Sequence, residues 1–375
     1  MKKRLPALLL IAALLISVTA CGLPERLEIP EKKVVILAPS RERYPEEYAA
    51  AVSIAEKYSE AVSVREYNDR TFLSTEDPEI ITVSKELAAD SDVGALIYLR
   101  GTQYSDYAQK LAKEANDKLR IITVEPEVSV ENIVKTTDLM LCADWKKCCA
   151  DMLDIAQKRN AKYFVFWSFD RHMENPLYIS LRGYLEAGCK EKGIAFVGET
   201  GLDSAYYDGN REPCEKISES LDALYKDGKV RGNNVALFST DDAVQSALVK
   251  ECTERNLIYI CPSFPTVYSG IGGVLGVSSK ATGTDSGSYV SDIKKALKGS
   301  SGRFSVYTYP LASVMVKSAV KIAFDMLAGK TYYANFEERV PLRVAECAKG
   351  GKFTVERFDF IDNMYICYSP SFENI

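Results

Sequence analysis

The sequence predicts an α/β protein built as two doubly wound, parallel-sheet lobes joined by hinge strands. Three observations lead there. Short β-type runs alternate with amphipathic helical stretches from residue 33 onward, the pattern of repeated βαβ units. Several runs, such as Val93–Leu99 (VGALIYL) and Tyr163–Trp167 (YFVFW), are apolar at nearly every position, as strands covered on both faces are. The chain has 375 residues, 47% of them hydrophobic, which is enough for two cores rather than one.

Taken in order, Lys33–Ala38 (KVVILA) reads as the first strand, ending in Pro39-Ser40-Arg41. A helix follows over Tyr44–Ser59, then a strand over Val62–Tyr67 and a helix over Pro78–Ala89. Val93–Leu99 ends in Arg100-Gly101-Thr102-Gln103, and a helix begins at Tyr104. Arg120–Val124 is a fourth strand, ending in Glu125-Pro126.

The stretch Asp138–Asp170 then restarts the scheme. Its apolar run ends at Asp144, and from Trp145 apolar residues recur at helical spacing: Trp145, Cys148, Cys149, Met152, Leu153, Ala156. Tyr163–Trp167 follows as a buried strand ending in Ser168-Phe169-Asp170-Arg171. Asn175-Pro176 opens a helix with proline in its first turn. Ile194–Val197, Asn234–Phe238 and Leu257–Cys261 are further strands, with helices over Pro213–Lys226 and from Val244. A helix is expected over Tyr289–Lys298 and a long amphipathic one over Pro310–Ala328, stopped by Gly329. Val340–Val344, Phe353–Asp359 and Met364–Tyr368 read as β-like runs. The expected division puts residues 33–139 and about 271–335 in the first lobe. It puts residues 140–270 and about 336–375 in the second.

Met1–Cys21 reads as an address. Lys2, Lys3 and Arg4 precede the apolar stretch Leu5–Val18, which is too short to span a bilayer, and Val18-Thr19-Ala20 leads into Cys21. The ending resembles a bacterial lipoprotein lipobox. That implies cleavage before Cys21, lipidation of its thiol, and anchoring to the extracytoplasmic face of the bacterial membrane. Residues 22–32 are then a tether.

Composition removes several function classes. The formal net charge is −5, and no basic block follows the N-terminus, so no nucleic-acid partner is expected. The chain holds one histidine, His172, which excludes multi-histidine zinc sites. No G-x-S-x-G elbow occurs to supply a nucleophilic serine. Asp241 and Asp242 are adjacent and so are poorly placed to face each other as a catalytic pair. No catalytic residue, cofactor or metal is expected. Besides Cys21 there are nine scattered cysteines and no C-x-x-C, which points to mostly buried free thiols rather than a disulfide framework. His172 reads as a loop histidine.

Parallel sheets bind ligands at the C-terminal ends of their strands, where free helix N–H groups also point. The polar strand-end residues are Ser40, Arg41, Arg100, Gly101, Gln103, Glu125, Asp144, Ser168, Arg171, Thr240, Asp241 and Asp242, with Tyr44, Trp145 and Phe169 as aromatic walls. These are the candidate ligand-binding residues.

Three stretches resemble the class I periplasmic binding-protein family, shared by sugar-binding proteins and the sensor domains of lac-repressor-type regulators. Asp144 before its helix and Tyr163–Trp167 looks like the family's aspartate at the lobe crossover. Arg182-Gly183-Tyr184-Leu185-Glu186-Ala187 is similar to its Gly-aromatic helix, and Ser239-Thr240-Asp241-Asp242-Ala243 to its strand-end Asp-x-Ala segment. Tyr178 stands where sugar-binding members usually carry arginine, which argues against an ordinary aldose ligand. The resemblance implies a lipid-anchored receptor that closes on a small polar ligand, such as a sugar, a nucleoside, an amino-acid-like compound or a signal molecule. Its partners would be that ligand, the bilayer through Cys21 and an ABC-type permease. The alternatives are a sensor related to lac-repressor-type regulators, which would need a DNA-binding segment before Lys33, and a receptor for signalling rather than transport.

Overall fold

A computed structural model describes residues 27–41, 44–69, 78–170, 172–200, 202, 211–241, 244–260, 271–277, 286–297, 303–348 and 351–375. Cys21, Arg171, Asp242 and Cys261 lie outside the described residues. The chain runs β1 (Lys33–Ala38), α1 (Pro45–Lys57), β2 (Val62–Glu66), α2 (Glu79–Ala89), β3 (Val93–Leu99), α3 (Ser105–Ala115), β4 (Arg120–Val124), α4 (Val130–Ile133) and β5 (Leu139–Ala143). Next come α5 (Trp145–Lys158), β6 (Tyr163–Trp167), α6 (Pro176–Glu191), β7 (Ala195–Glu199), α7 (Arg211–Lys226), β8 (Val235–Ser239), α8 (Gln245–Arg255), β9 (Ile258–Tyr259), α9 (Ile271–Leu275), α10 (Ser286–Ala296) and β10 (Ser305–Tyr307). It ends with α11 (Leu311–Leu327), α12 (Phe336–Ala348), β11 (Thr354–Phe358), β12 (Ile361–Tyr368) and β13 (Phe372–Asn374).

The first sheet has the order β11-β12-β5-β4-β3-β1-β2, parallel except for the β11–β12 hairpin. The second is the parallel sheet β7-β6-β8-β9. β3 and β5 are buried along their whole length, because helices cover both faces. Removing the apolar side chains of each core from water, at about 25 cal/mol per Å², is what holds each lobe together.

The division between lobes differs from the sequence expectation in three places. β5 (Leu139–Ala143) pairs with β4 and so closes the first sheet rather than opening the second lobe. α9 and α10 contribute Ile271, Tyr289, Val290 and Ile293 to the core of the second lobe, not the first. Phe336–Ala348 and β12 pack into the first lobe's core, with Phe336, Val340, Val344, Tyr365 and Cys367 buried there. Parallel pairing of β12 with β5 decides the last point, since it makes β12 a strand of the first sheet, between β5 and the edge strand β11.

Val340–Val344 is helical, not β-like. Phe336, Val340, Val344 and Cys347 recur at helical spacing and are buried on one side of α12. The inner face of α6 is Tyr178, Leu181, Leu185 and Cys189, and Tyr184 is exposed.

The chain crosses between lobes three times: β5 to α5, β10 to α11, and β12 to β13. These are the hinge strands. Asp144 N–H donates to the Cys367 carbonyl at 2.9 Å, and Thr308 N–H to the Ser371 carbonyl at 2.9 Å. Asp151 accepts from both Tyr307 Oη (3.0 Å) and Tyr368 Oη (2.9 Å), so one carboxylate ties two crossings together. The eight described cysteines besides Cys21 and Cys261 are free thiols, seven of them buried.

Candidate functional site

A narrow, partly open cleft lies between the lobes. Tyr44, Arg100 and Glu127 form the wall from the first lobe. Trp145, His172, Tyr178, Leu181, Phe238, Ser239, Thr240 and Asp241 form the rest.

The first wall stands on unusual backbone. Arg100 (φ 65°), Gly101 (φ 39°), Tyr104 (φ 68°) and Glu125 (φ 53°) all sit in the left-handed region where β3 and β4 end. Non-glycine residues pay roughly 1 kcal/mol or more for this, and such strain concentrates where a fold must aim side chains. Backbone hydrogen bonds hold it: Arg100 N–H to the Val124 carbonyl (2.7 Å), Glu125 N–H to Leu141 (2.9 Å) and Glu127 N–H to Arg100 (2.6 Å).

The Arg100 guanidinium is buried, ion-paired with Glu47 at 2.7 Å and stacked over the Tyr44 ring at 4.9 Å. Tyr44 Oη donates to Glu127 Oε1 at 2.6 Å. Behind this wall, Glu125 is fully buried and accepts from the Ala143 N–H. Burial pushes its pKa up to about 8; Arg100 and the Ala143 N–H pull it down, and Glu47 and Glu127 add to the rise.

The opposite wall is a polar chain just beyond the ends of β6 and β8. Ser168 Oγ and Thr240 Oγ1 are 2.9 Å apart, and His172 Nδ1 lies 2.9 Å from Thr240 Oγ1. His172 Nε2 lies 3.7 Å from Asp241 Oδ2. The imidazole is buried and stacks on Tyr178, with centroids 4.2 Å apart and planes 12° apart. Asn175 bridges the lobes: its side-chain amide donates to the Glu127 carbonyl, while its Oδ1 caps α6 by accepting from Leu177 N–H at 2.9 Å.

Of the residues named from the sequence, Tyr44, Arg100, Trp145, Thr240 and Asp241 line the cleft. Glu125, Ser168 and Phe169 are buried behind its walls, and Gly101 is buried in the turn after β3. Gln103 is exposed. Ser40 donates its backbone N–H to Asp69 at 3.2 Å, and Arg41 is exposed and pairs with Glu66 at 2.7 Å. Neither reaches the cleft lining. Asp144 does not line it either: its Oδ1 accepts from Lys147 N–H (2.9 Å) as the cap of α5, and Lys147 Nζ lies 3.2 Å from Oδ2. Trp167 is core, donating to Ser220 Oγ at 3.0 Å. Glu127, His172, Tyr178, Leu181, Phe238 and Ser239 complete the lining and were not among the named residues. Tyr178 had carried a signal, as the aromatic in place of the family's arginine.

Among the described residues, no group of three or more His, Cys, Asp or Glu could hold a metal ion. No helix of the described residues is long and apolar enough to cross a membrane.

The architecture is that of the periplasmic binding-protein-like proteins. A protein of Clostridium difficile 630 described as a transcriptional regulator superposes with a TM-score of 0.72 at 15% identity, covering 93% of this chain and 100% of the other. A sugar ABC transport substrate-binding protein of Bordetella parapertussis 12822 gives 0.59 at 8% identity, over 96% and 92%. A LacI family transcriptional regulator of Bifidobacterium animalis subsp. lactis gives 0.51 at 10% identity, over 81% and 92%. The chain belongs to the family described as "Protein of unknown function (DUF3798)", whose model matches residues 33–305. No curated protein sequence matches it.

Proposed function

We propose that the chain is a lipid-anchored extracytoplasmic solute-binding protein. It takes a small polar ligand between its lobes and presents the closed form to an ABC-type permease. The observation that carries this reading is the convergence of hydrogen-bonding groups from both lobes on one cleft. Tyr44, Arg100 and Glu127 face His172, Thr240 and Asp241, with Trp145, Tyr178 and Phe238 as aromatic walls. Aromatic surfaces with a few aimed polar groups are what recognise a small molecule. The three crossings supply a hinge, and closure would bury the ligand's polar groups against partners whose loss is costly. The lipobox-like ending at Cys21 supports the anchor. No side chain is assigned a chemical step; the proposed role is binding.

The test is a thermal-shift screen of the purified chain against sugars, nucleosides and amino acids. At least one compound raises the melting temperature, and Thr240→Ala with Asp241→Ala abolishes the shift. A panel that moves nothing overturns the binding reading. Labelled palmitate should enter the wild-type chain in cells but not a Cys21→Ala variant; an unlabelled wild type overturns the anchor.

A further inference from the structure

We propose that the end of the first lobe opposite the cleft rests on the lipid bilayer, with Ile29, Tyr332, Tyr333 and Phe360 as its interfacial contacts. This rests on the proposed lipid anchor at Cys21.

Strand direction defines the two ends of the lobe. β1, β3, β4, β5 and β12 are parallel, so their last residues share the cleft edge and their first residues share the opposite edge. Three features meet at that opposite edge. The first is the start of the described chain: Leu27 packs against the first lobe's core, and Glu28 pairs with Lys330 at 2.9 Å. The second is the end of α11: a Cβ on Gly94 would meet both Lys32 Cβ (2.6 Å) and Leu327 Cδ2 (2.8 Å), so Leu327 flanks the start of β3. The third is the β11–β12 turn, where Phe360 precedes the first residue of β12.

The apolar groups there are large and bare. Phe360 is 88% exposed, Tyr332 60%, Tyr333 59% and Ile29 59%. Phe360 lies 6.0 Å from the Phe358 ring, and Tyr333 lies 5.9 Å from the Phe336 ring while its hydroxyl bonds Asp362, two residues beyond Phe360. Exposed aromatics gathered on one end mark an interaction surface.

The tether selects the occupant. Leu27 is six residues beyond Cys21, a span of at most roughly 20 Å even when fully extended. β1 is six residues long, which sets the cleft edge about 20 Å further from the anchor. A lipid on Cys21 therefore holds the aromatic end, not the cleft, against the membrane. Tyrosine suits the headgroup level, where an apolar ring and a polar tip are both satisfied, and the bare phenylalanine ring suits the acyl boundary just beneath it. The rim carries both signs, since Arg357 pairs with Glu337 (3.1 Å) and lies near Asp362 (3.7 Å). Contact is by ring insertion rather than net charge, and it adds a second, weak signal to the acyl anchor.

The experiment has two arms. In the first, acylated Phe360→Trp and Tyr107→Trp variants are reconstituted in phosphatidylcholine vesicles containing brominated lipid. Tyr107 is an exposed position early in α3, beside the cleft edge. Fluorescence at position 360 is quenched above the wild-type background and that at 107 is not. Equal, absent or reversed quenching overturns the proposal. In the second arm, the unacylated Cys21→Ala chain is sedimented with phosphatidylcholine vesicles. Its bound fraction is insensitive to salt and falls about tenfold on combining Tyr332→Ser, Tyr333→Ser and Phe360→Ser. No binding overturns the surface, and so does a concentration-dependent dimer that the same substitutions dissolve. If palmitate labelling fails while this arm succeeds, the anchor falls and the surface stands.

Discussion

The rings of His172 and Tyr178 lie face to face, 4.2 Å apart, on the wall of the cleft. The stack fixes the imidazole so that Nδ1 meets Thr240 and Nε2 faces Asp241. Tyr178→Ala removes a buried ring and frees His172. The expected loss of stability is about 3–5 kcal/mol, the range for truncating a buried aromatic. Affinity for whichever panel compound binds should fall at least about tenfold beyond that of Tyr178→Phe, which keeps the ring. Urea unfolding and calorimetric titration measure the two effects; equal affinities for both variants would remove Tyr178 from recognition.

Glu125 makes a pH prediction. Its folded pKa of about 8 stands above the ordinary 4.5, so the folded state holds a proton that the unfolded state has released. Stability therefore falls as pH rises from about 4.5 to 8 and levels off above. Glu125→Gln keeps an acceptor for the Ala143 N–H and removes the titration. The variant should gain on wild type steadily across that window, by roughly 3–5 kcal/mol at its upper end. Denaturant midpoints taken from pH 5 to 9 give the answer, and parallel curves for the two proteins would contradict it.

The strands were legible because burial on both faces writes an unbroken apolar run, as in Val93–Leu99 and Tyr163–Trp167. Val340–Val344 misled because β-branched residues around Pro341 look strand-like, while the helical repeat from Phe336 to Cys347 outweighs that propensity. The lobe division misled because pairing of β12 with β5 joins residues more than 200 apart, which no local pattern records. The strand-end rule located Arg100, Thr240 and Asp241. It missed His172, whose place depends on a partner 68 residues away. Asp144 shows the rule's ambiguity: a polar residue between strand and helix can cap or bind, and here its oxygen faces Lys147 N–H.

That cap sets a third prediction. Asp144→Ala should cost about 1 kcal/mol and leave ligand affinity within about twofold, while Asp144→Ser restores the stability. A large affinity loss in a variant of normal stability would return Asp144 to the binding surface.

Asp325 and Arg343 join α11 to α12 through two charge-assisted hydrogen bonds of 2.6 and 2.7 Å, with both side chains essentially inaccessible. Arg343 also donates to Glu346 at 2.8 Å. Removing one partner strands a buried charge, so Asp325→Ala should cost about 3–5 kcal/mol. Arg343→Lys should recover little, because an ammonium cannot reproduce the two-pronged contact. Urea denaturation of both variants checks this, and a loss below about 1 kcal/mol for Asp325→Ala would mean that the site repacks without its ions.

Asn175 is the side chain that closes the cleft while holding its own helix. Its oxygen caps α6, and its amide reaches the Glu127 carbonyl in the opposite lobe. Asn175→Ser separates the two jobs, since serine can cap but has no amide to span the gap. Stability should change by less than about 1 kcal/mol, whereas one tie between the lobes disappears. The ligand-free chain should then spend more time open. Its radius of gyration in small-angle scattering rises, and the apparent affinity for the panel compound drops in proportion to the closed population lost. An unchanged radius with unchanged affinity would show that the hinge crossings alone, through Asp151 and its two tyrosines, set the closed state.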